Sequence, residues 1–322
     1  MNNKTDVLKN KFTKKIEEII DYDRPNDPVS LQFLTDIEKE SIILKEEISD
    51  PIGDDRCSKI KGIIHRYPDR VLLIPKGDCL VTCRFCFRKW KLPHEKTELT
   101  YEELEGALDY IRSDPQIWEV VLSGGEPLAT SEEKLEYIFK QLNNIPHIGV
   151  IRIHTRLPIV APELVTEKTI KILKKNKPVF IVIHCNNEKE ITDDVKKCCD
   201  LFVDSGIPLL SQTALLKGVN SEAEDLEALF RKLITIRVKP YYLHHCDLVE
   251  GTGHFRTTIK EGQALMRKLR GNVSGICQPT YVLDIPNGYG KVPIGPDYVS
   301  FDANELITVM DYAGTQHQYP PQ

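Results

Sequence analysis

"KGDCLVTCRFCFRKW", residues 76–90, sets Cys79, Cys83 and Cys86 close together and ends in a run of cationic and aromatic side chains. The chain has nine cysteines, an odd number. Its start, "MNNKTDVLKNKFTKKIEEII", lacks the apolar core of a signal peptide, so the expected address is cytoplasmic and the expected state of the cysteines is free thiol. The other six, Cys57, Cys185, Cys198, Cys199, Cys246 and Cys277, are scattered and read as small buried apolar side chains. Structural zinc wants four ligands, usually as two pairs separated by a loop, and no second Cys or His pair of that kind is visible. Three close thiolates suit a 4Fe-4S cluster ligated at three irons, which leaves the fourth iron open to bind a ligand.

Working outward from this stretch, "RVLLIP" just before it is the first of seven short apolar runs. The others are "IWEVVLS", "IGVIRIH", "PVFIVIH", "IPLLSQT", "VKPYYLH" and "PTYVLDI". Between them lie segments such as "TYEELEGALDYIRS" and "SEAEDLEALFRKLITI", whose apolar residues fall three and four apart. Thr100, Ser221 and Thr258 each precede a Glu by three residues, a helix-start signature. A strand followed by an amphipathic helix, repeated six or seven times, predicts a parallel sheet covered by helices. The expected fold class is α/β, a partial (β/α)6-type TIM barrel with a helical N-terminal extension. The expected boundaries are 1–55 for the charge-rich extension, 56–300 for the barrel and 301–322 for a C-terminal tail.

Polar residues collect where these strands end: Ser123, His154, His184, Gln212, His244 and Asp284. Loops at that face of a barrel are where sites are built, so a central enzyme site is expected. With 43 Lys and Arg against 48 Asp and Glu, the formal net charge of −5 predicts no nucleic-acid partner. No apolar run approaches the roughly 20 residues of a membrane span, so no membrane partner is expected either.

A second motif, "VLSGGEPL" at residues 121–128, follows the next strand with Gly124, Gly125 and Glu126. Two glycines allow close backbone approach to a ligand, and Glu126 can pair with an ammonium. Cys79-x3-Cys83-x2-Cys86 after the first strand, with Gly-Gly-Glu-Pro after the second, resembles the radical S-adenosylmethionine (radical SAM) superfamily. That resemblance implies that the open iron chelates SAM, that Gly124, Gly125 and Glu126 contact its amino group, and that one electron releases a 5′-deoxyadenosyl radical. His184 in "IVIHCNN" and Gln212 in "SQTALLKGVN" stand at further strand ends where a cofactor would be held.

Late in the chain, "VLDIPNGYGKVPIGP" sets Lys291 in a loop with Gly288 and Gly290. With "IIHRYPDRVLL", "RLPIVAPELVT", "LLKGVN", "CDLVEGTGHFRT" and "LRGNVSGICQPTYVLD" in this order, residues 60–300 resemble the lysine 2,3-aminomutase family. The resemblance implies a second cofactor, pyridoxal 5′-phosphate (PLP), carried on Lys291, with Arg66, Tyr67 and Arg70 helping to seat it. It also implies that Arg88 pairs with the substrate carboxylate, a task suited to a guanidinium fork. Asp247 and Asp284 would hold the distal ammonium of L-lysine and act as a ruler for a diamine. The implied reaction moves the α-amino group from C2 to C3, giving β-lysine. A reductant such as flavodoxin or ferredoxin and a homo-oligomeric state are further expectations from the resemblance.

Free-lysine members of the family commonly carry a longer C-terminal region with a zinc-binding cysteine cluster. This sequence has no cysteine after Cys277, so that zinc site is expected to be missing. Its length and N-terminal half are similar to relatives that make (R)-β-lysine for elongation factor P, whereas Asp284 and the C-terminal half favour free-lysine recognition. A glutamate enzyme fits less well, because two aspartates would repel its side chain. A non-catalytic iron-sulfur electron carrier would have no use for Lys291.

Overall fold

All seven apolar runs form strands, and three short strands that the pattern does not reveal flank them. The computed structural model describes residues 9–24, 26–91, 98–174, 177–302 and 305–321. The main sheet contains β1 (Ser58–Ile60), β2 (Ile63–Tyr67), β3 (Arg70–Lys76), β4 (Glu119–Gly124), β5 (Val150–Thr155), β6 (Val179–His184), β7 (Leu209–Leu215), β8 (Val238–His245), β9 (Thr280–Ile285) and β10 (Gly290–Pro293). They lie side by side in sequence order, and β1 and β10 are the two free edges. Pairing is parallel from β3 to β9. It is antiparallel in β1–β2, β2–β3 and β9–β10.

Six helices of two turns or more connect the parallel strands, α1 (Tyr101–Ser113), α2 (Glu132–Asn143), α3 (Glu167–Lys174), α4 (Asp193–Asp204), α5 (Ala223–Thr235) and α6 (Ile259–Leu269), with a single turn at Leu157–Val160 ahead of α3. This is the (β/α)6 half-open barrel. Each helix buries one stripe; in α1 it is Leu104, Ala107, Leu108 and Ile111, spaced three and four apart. Thr100 with Glu103 and Thr258 with Glu261 form reciprocal caps. Ser221 does not: its hydroxyl accepts from the Gly218 amide, and α5 starts after Glu222 without a side-chain cap.

Among its described residues the N-terminal segment contains only single helical turns, Lys14–Glu17, Ser30–Phe33, Ile37–Glu40 and Asp54–Cys57. Residues 1–8 of the expected extension lie outside the described residues. Ile16, Val29 and Phe33 are fully buried and belong to the main core cluster. The stretch expected as a tail from 301 contains an antiparallel sheet of β11 (Val299–Phe301), β12 (Ile307–Met310) and β13 (Gln316–Tyr319), whose first strand begins at Val299. Lys291 was expected in a loop; it sits instead on β10, directly opposite Asp284 of β9. Among the described residues no helix is long and apolar enough to cross a membrane.

Burial separates the two ends of the chain energetically. Phe33→Ala is expected to cost about 3–5 kcal/mol, as for other core phenylalanines. Phe301, 70% exposed on β11, should tolerate the same change within about 0.5 kcal/mol. Urea denaturation of the two variants measures the contrast.

Candidate active site

A cavity of about 860 Å³ is lined by side chains of β2–β10 and by the loops after the C-terminal ends of the parallel strands. Every expected site residue lines it: Cys79, Cys83, Cys86, Gly124, Gly125, Glu126, His184, Gln212, Arg66, Tyr67, Arg70, Arg88, Asp247, Asp284 and Lys291. Parallel pairing sets the neighbours, with His184 directly opposite Gln212. Between β7 and β8 the register shifts so that Gln212 faces Tyr242 while Ser211 faces Pro240. The extra residue, Tyr241, lets two consecutive tyrosines line the cavity.

The cysteine loop follows β3. Gly125 N donates to Lys76 O at 3.0 Å and Glu126 N to Asp78 O at 2.9 Å, so the Gly-Gly-Glu turn is laced to the start of that loop. A Cβ at Gly125 would lie 2.3 Å from Asp78 O, and Gly124 adopts φ +113° with Ile74 as close. The glycines therefore serve an approach between two stretches of backbone, a packing role that the sequence reading did not foresee. The Glu126 carboxylate, buried to 4% exposure, accepts from Thr155 Oγ1 (2.6 Å), Arg156 N (2.8 Å) and Leu128 N (3.1 Å). Burial pushes its pKa up against those hydrogen bonds.

Burial, with repulsion among the three sulfurs, raises Cys79 and pushes Cys86 up to about 11. Bare thiolates are disfavoured here, and cationic iron would supply the missing counter-charge. Among the described residues no three His, Cys, Asp or Glu side chains close tightly enough to grip a single metal ion.

On the far wall, Lys291 Nζ donates to Asp284 Oδ2 at 2.6 Å and lies 3.0 Å from His244 Nδ1. Its backbone N donates to Tyr67 Oη at 2.8 Å. Although burial alone would raise Asp284, the His244 contact and the Lys291 ammonium hold it well below the usual carboxylate range. Asp247 goes the other way, pushed up to about 7 by burial and then by the nearby Asp284 charge. The two carboxyls of the expected diamine ruler thus differ in protonation at neutral pH. Burial keeps His154 and His184 neutral, well below their ordinary value. Among the described residues the buried Nε2 atoms of His154, His184 and His244 have no hydrogen-bond partner, and neither does Arg66 Nε, so the cavity retains capacity for polar ligands.

The structure also brings in Asp54 and Arg156, which the sequence reading missed. Asp54, 4% exposed, accepts from Arg66 Nη2 at 3.0 Å and from Arg88 Nε at 2.7 Å, linking the two guanidinium groups. It sits in "IGDD", which reads as a polar turn, and its partners are far along the chain. Arg156 follows the end of β5 and was detectable by the same strand-end rule that picked out His154.

Residues 73–233 match the Radical SAM superfamily. Residues 266–322 match the family described as Lysine-2,3-aminomutase. The L-lysine 2,3-aminomutase of Acetoanaerobium sticklandii is 39% identical over 314 residues, covering 98% of this chain and 76% of that protein. That of Clostridium subterminale is 40% identical over 302 residues, covering 94% and 72%. A crystal structure of Streptococcus suis SuiB superposes with a TM-score of 0.50 at 16% identity, over 68% of this chain and 50% of that one, and bears on the fold alone.

Two substitutions probe the geometry. Gly125→Ala must displace the Asp78 backbone and with it the cysteine loop, so lower iron and sulfide content after reconstitution is expected. Asp54→Asn leaves two buried guanidinium groups without their carboxylate and should cost about 3–5 kcal/mol in urea unfolding.

Proposed function

Because the chain belongs to the lysine 2,3-aminomutase family of the radical SAM superfamily, we propose that it converts L-lysine to β-lysine by moving the α-amino group to C3. The observation that carries this reading is an alkylammonium already resting on the acidic wall, Lys291 Nζ at 2.6 Å from Asp284 Oδ2, with Asp247 nearby. The distal ammonium of lysine is the same chemical group. A glutamate side chain would instead meet two carboxyls.

Cys79, Cys83 and Cys86 would hold a 4Fe-4S cluster, Glu126 would accept from the SAM ammonium, and Gly124, Gly125, His184 and Gln212 would line the SAM site. Lys291 would carry PLP, with Arg66, Tyr67 and Arg70 around it. When bound, these groups supply one-electron reduction, a carbon-centred radical initiator and delocalisation for the migrating nitrogen. The chain supplies position and exclusion of water. Tyr67 pins the Lys291 backbone, and Asp54 fixes Arg88 for the substrate carboxylate. Asp284 Oδ2 and neutral His244 Nδ1 are both within reach of a proton on Lys291 Nζ. Ile64, Leu72, Val121 and Leu210 give the cavity a dry wall. The proposal includes an external one-electron reductant of the flavodoxin or ferredoxin class, a homo-oligomer and a cytoplasmic setting, the last in keeping with nine free cysteines.

Anaerobic incubation with SAM, a one-electron reductant, PLP and L-lysine should yield β-lysine, with L-glutamate and L-arginine inert; turnover of glutamate in place of lysine would sink the reading. Asp284→Asn should lower kcat/KM for lysine about 10- to 150-fold, the loss of a charge-assisted hydrogen bond worth ~1.5–3 kcal/mol. Asp247 is protonated below about 7 in the free protein, and an ammonium ligand prefers its ionised form. KM for lysine should therefore fall as pH rises through that value, and Asp247→Asn should flatten this limb of the profile.

A further inference from the structure

Arg156 is a heavily engaged cation beside the cysteine loop, and nothing in the proposed chemistry uses it. Its guanidinium is buried, with 8% residue exposure, a costly position for a charge unless it is fully paired. Nη1 donates to Cys83 Sγ at 2.8 Å. Nη2 donates to Glu190 Oε2 at 2.6 Å and to Gln32 Oε1 at 2.7 Å. The guanidinium carbon also lies over the rings of Phe33 and Phe85, 4.6 Å and 5.5 Å from their centroids. The same residue's backbone N donates to Glu126 Oε2. The main-chain N and both terminal nitrogens are therefore held, Nε alone of the guanidinium nitrogens lacks a hydrogen-bond partner among the described residues, and Nη1 is aimed at one cysteine sulfur.

We propose that Arg156 is a positioning residue that fixes Cys83 and raises the potential at which the iron-sulfur cluster accepts its electron. The inference rests on the reading that Cys79, Cys83 and Cys86 bind a 4Fe-4S cluster. In the step concerned, one electron passes from an external one-electron donor to the cluster; no bond breaks and no proton moves. The added negative charge spreads over iron and sulfur, Cys83 Sγ included. A cationic N–H donor at that sulfur stabilises the reduced state more than the oxidised one, because hydrogen bonds to sulfur and local charge set cluster potentials. Glu190, with 0% exposure, tempers the effect through Nη2, so Arg156 and Glu190 act with opposite sign. Gln32 and Phe33 tie this setting to the N-terminal segment, which makes the potential sensitive to residues far outside the barrel.

The test is an EPR-monitored redox titration of reconstituted protein without SAM, with iron and sulfide counted in each sample. Arg156→Gln should shift the midpoint potential to more negative values, and Arg156→Lys should shift it less, because it keeps the charge and loses the second arm. Glu190→Gln should shift it to more positive values. Potentials unchanged in all variants that load a full cluster, or shifts of one sign for Arg156→Gln and Glu190→Gln alike, overturn the inference. If Arg156→Gln loads no cluster, the other two variants decide on the same criteria. A wild-type protein that takes up no 4Fe-4S cluster overturns the functional reading and this inference with it, whereas a normal wild-type cluster indifferent to these changes overturns this inference alone.

Discussion

A half-buried loop must find partners for its backbone polar groups, and the turns of the cysteine loop, Cys86 N to Cys83 O and Lys89 N to Cys86 O, supply only some of them. On one side the N-terminal segment supplies others. Thr82 N donates to Lys11 O at 2.7 Å and Arg84 N to Gln32 O at 2.9 Å. Lys11 Nζ reaches Cys79 O, and the Arg84 side chain reaches back to Glu40. On the other side the Gly-Gly-Glu turn donates to Lys76 O and Asp78 O. The three thiols are thus held between a segment that precedes the barrel and a turn within it. Loosening either side moves the sulfurs, and the remainder of the cavity is arranged around them.

Charge in the cavity is organised into small, locally compensated groups. Asp54 serves Arg66 and Arg88, Asp284 serves Lys291, and Glu190 serves Arg156. Removing one member of a buried pair costs about 3–5 kcal/mol, whereas an exposed pair contributes about 0–1 kcal/mol. The many surface pairs, such as Lys171 with Glu167, therefore matter little to stability beside these three. Compensation has a functional side as well. A cavity poised near neutrality can admit a zwitterionic ligand by exchanging partners one for one instead of burying new charge.

What was legible in the sequence follows from the range of the interactions involved. The seven parallel strands show as apolar runs because both faces of such a sheet are covered, and the helices show through their buried stripes. β10 is hidden because "GKVP" is short and mixes Gly with Pro, which reads as loop chemistry; only pairing with β9 makes it a strand. The cysteines and the Gly-Gly-Glu turn are local patterns, so spacing exposed them, although the reason for the glycines lay in Asp78 and Ile74 across the turn. Asp54 was invisible as a site residue because its partner Arg88 lies 34 positions away; the strand-end rule reaches Arg156 but not its link to Cys83, 73 positions away. The exposed sheet of β11–β13 has no periodic burial to announce it.

The two free edges of the main sheet do not hydrogen-bond to each other; side chains and close backbone contacts bridge them. Tyr67 at the end of β2 accepts from Lys291 N on β10, Arg56 donates to Asn287 O, and Gly53 packs against Gly288. The barrel wall therefore has a seam. Parting a seam of this kind disturbs a few contacts, while parting any two parallel strands breaks a whole ladder, so local opening is cheapest along this line. Lys291 stands on its lip. On the proposed reading, the residue that would meet an incoming molecule is therefore carried by a stretch of wall held by few contacts, apart from the tightly laced cysteine loop.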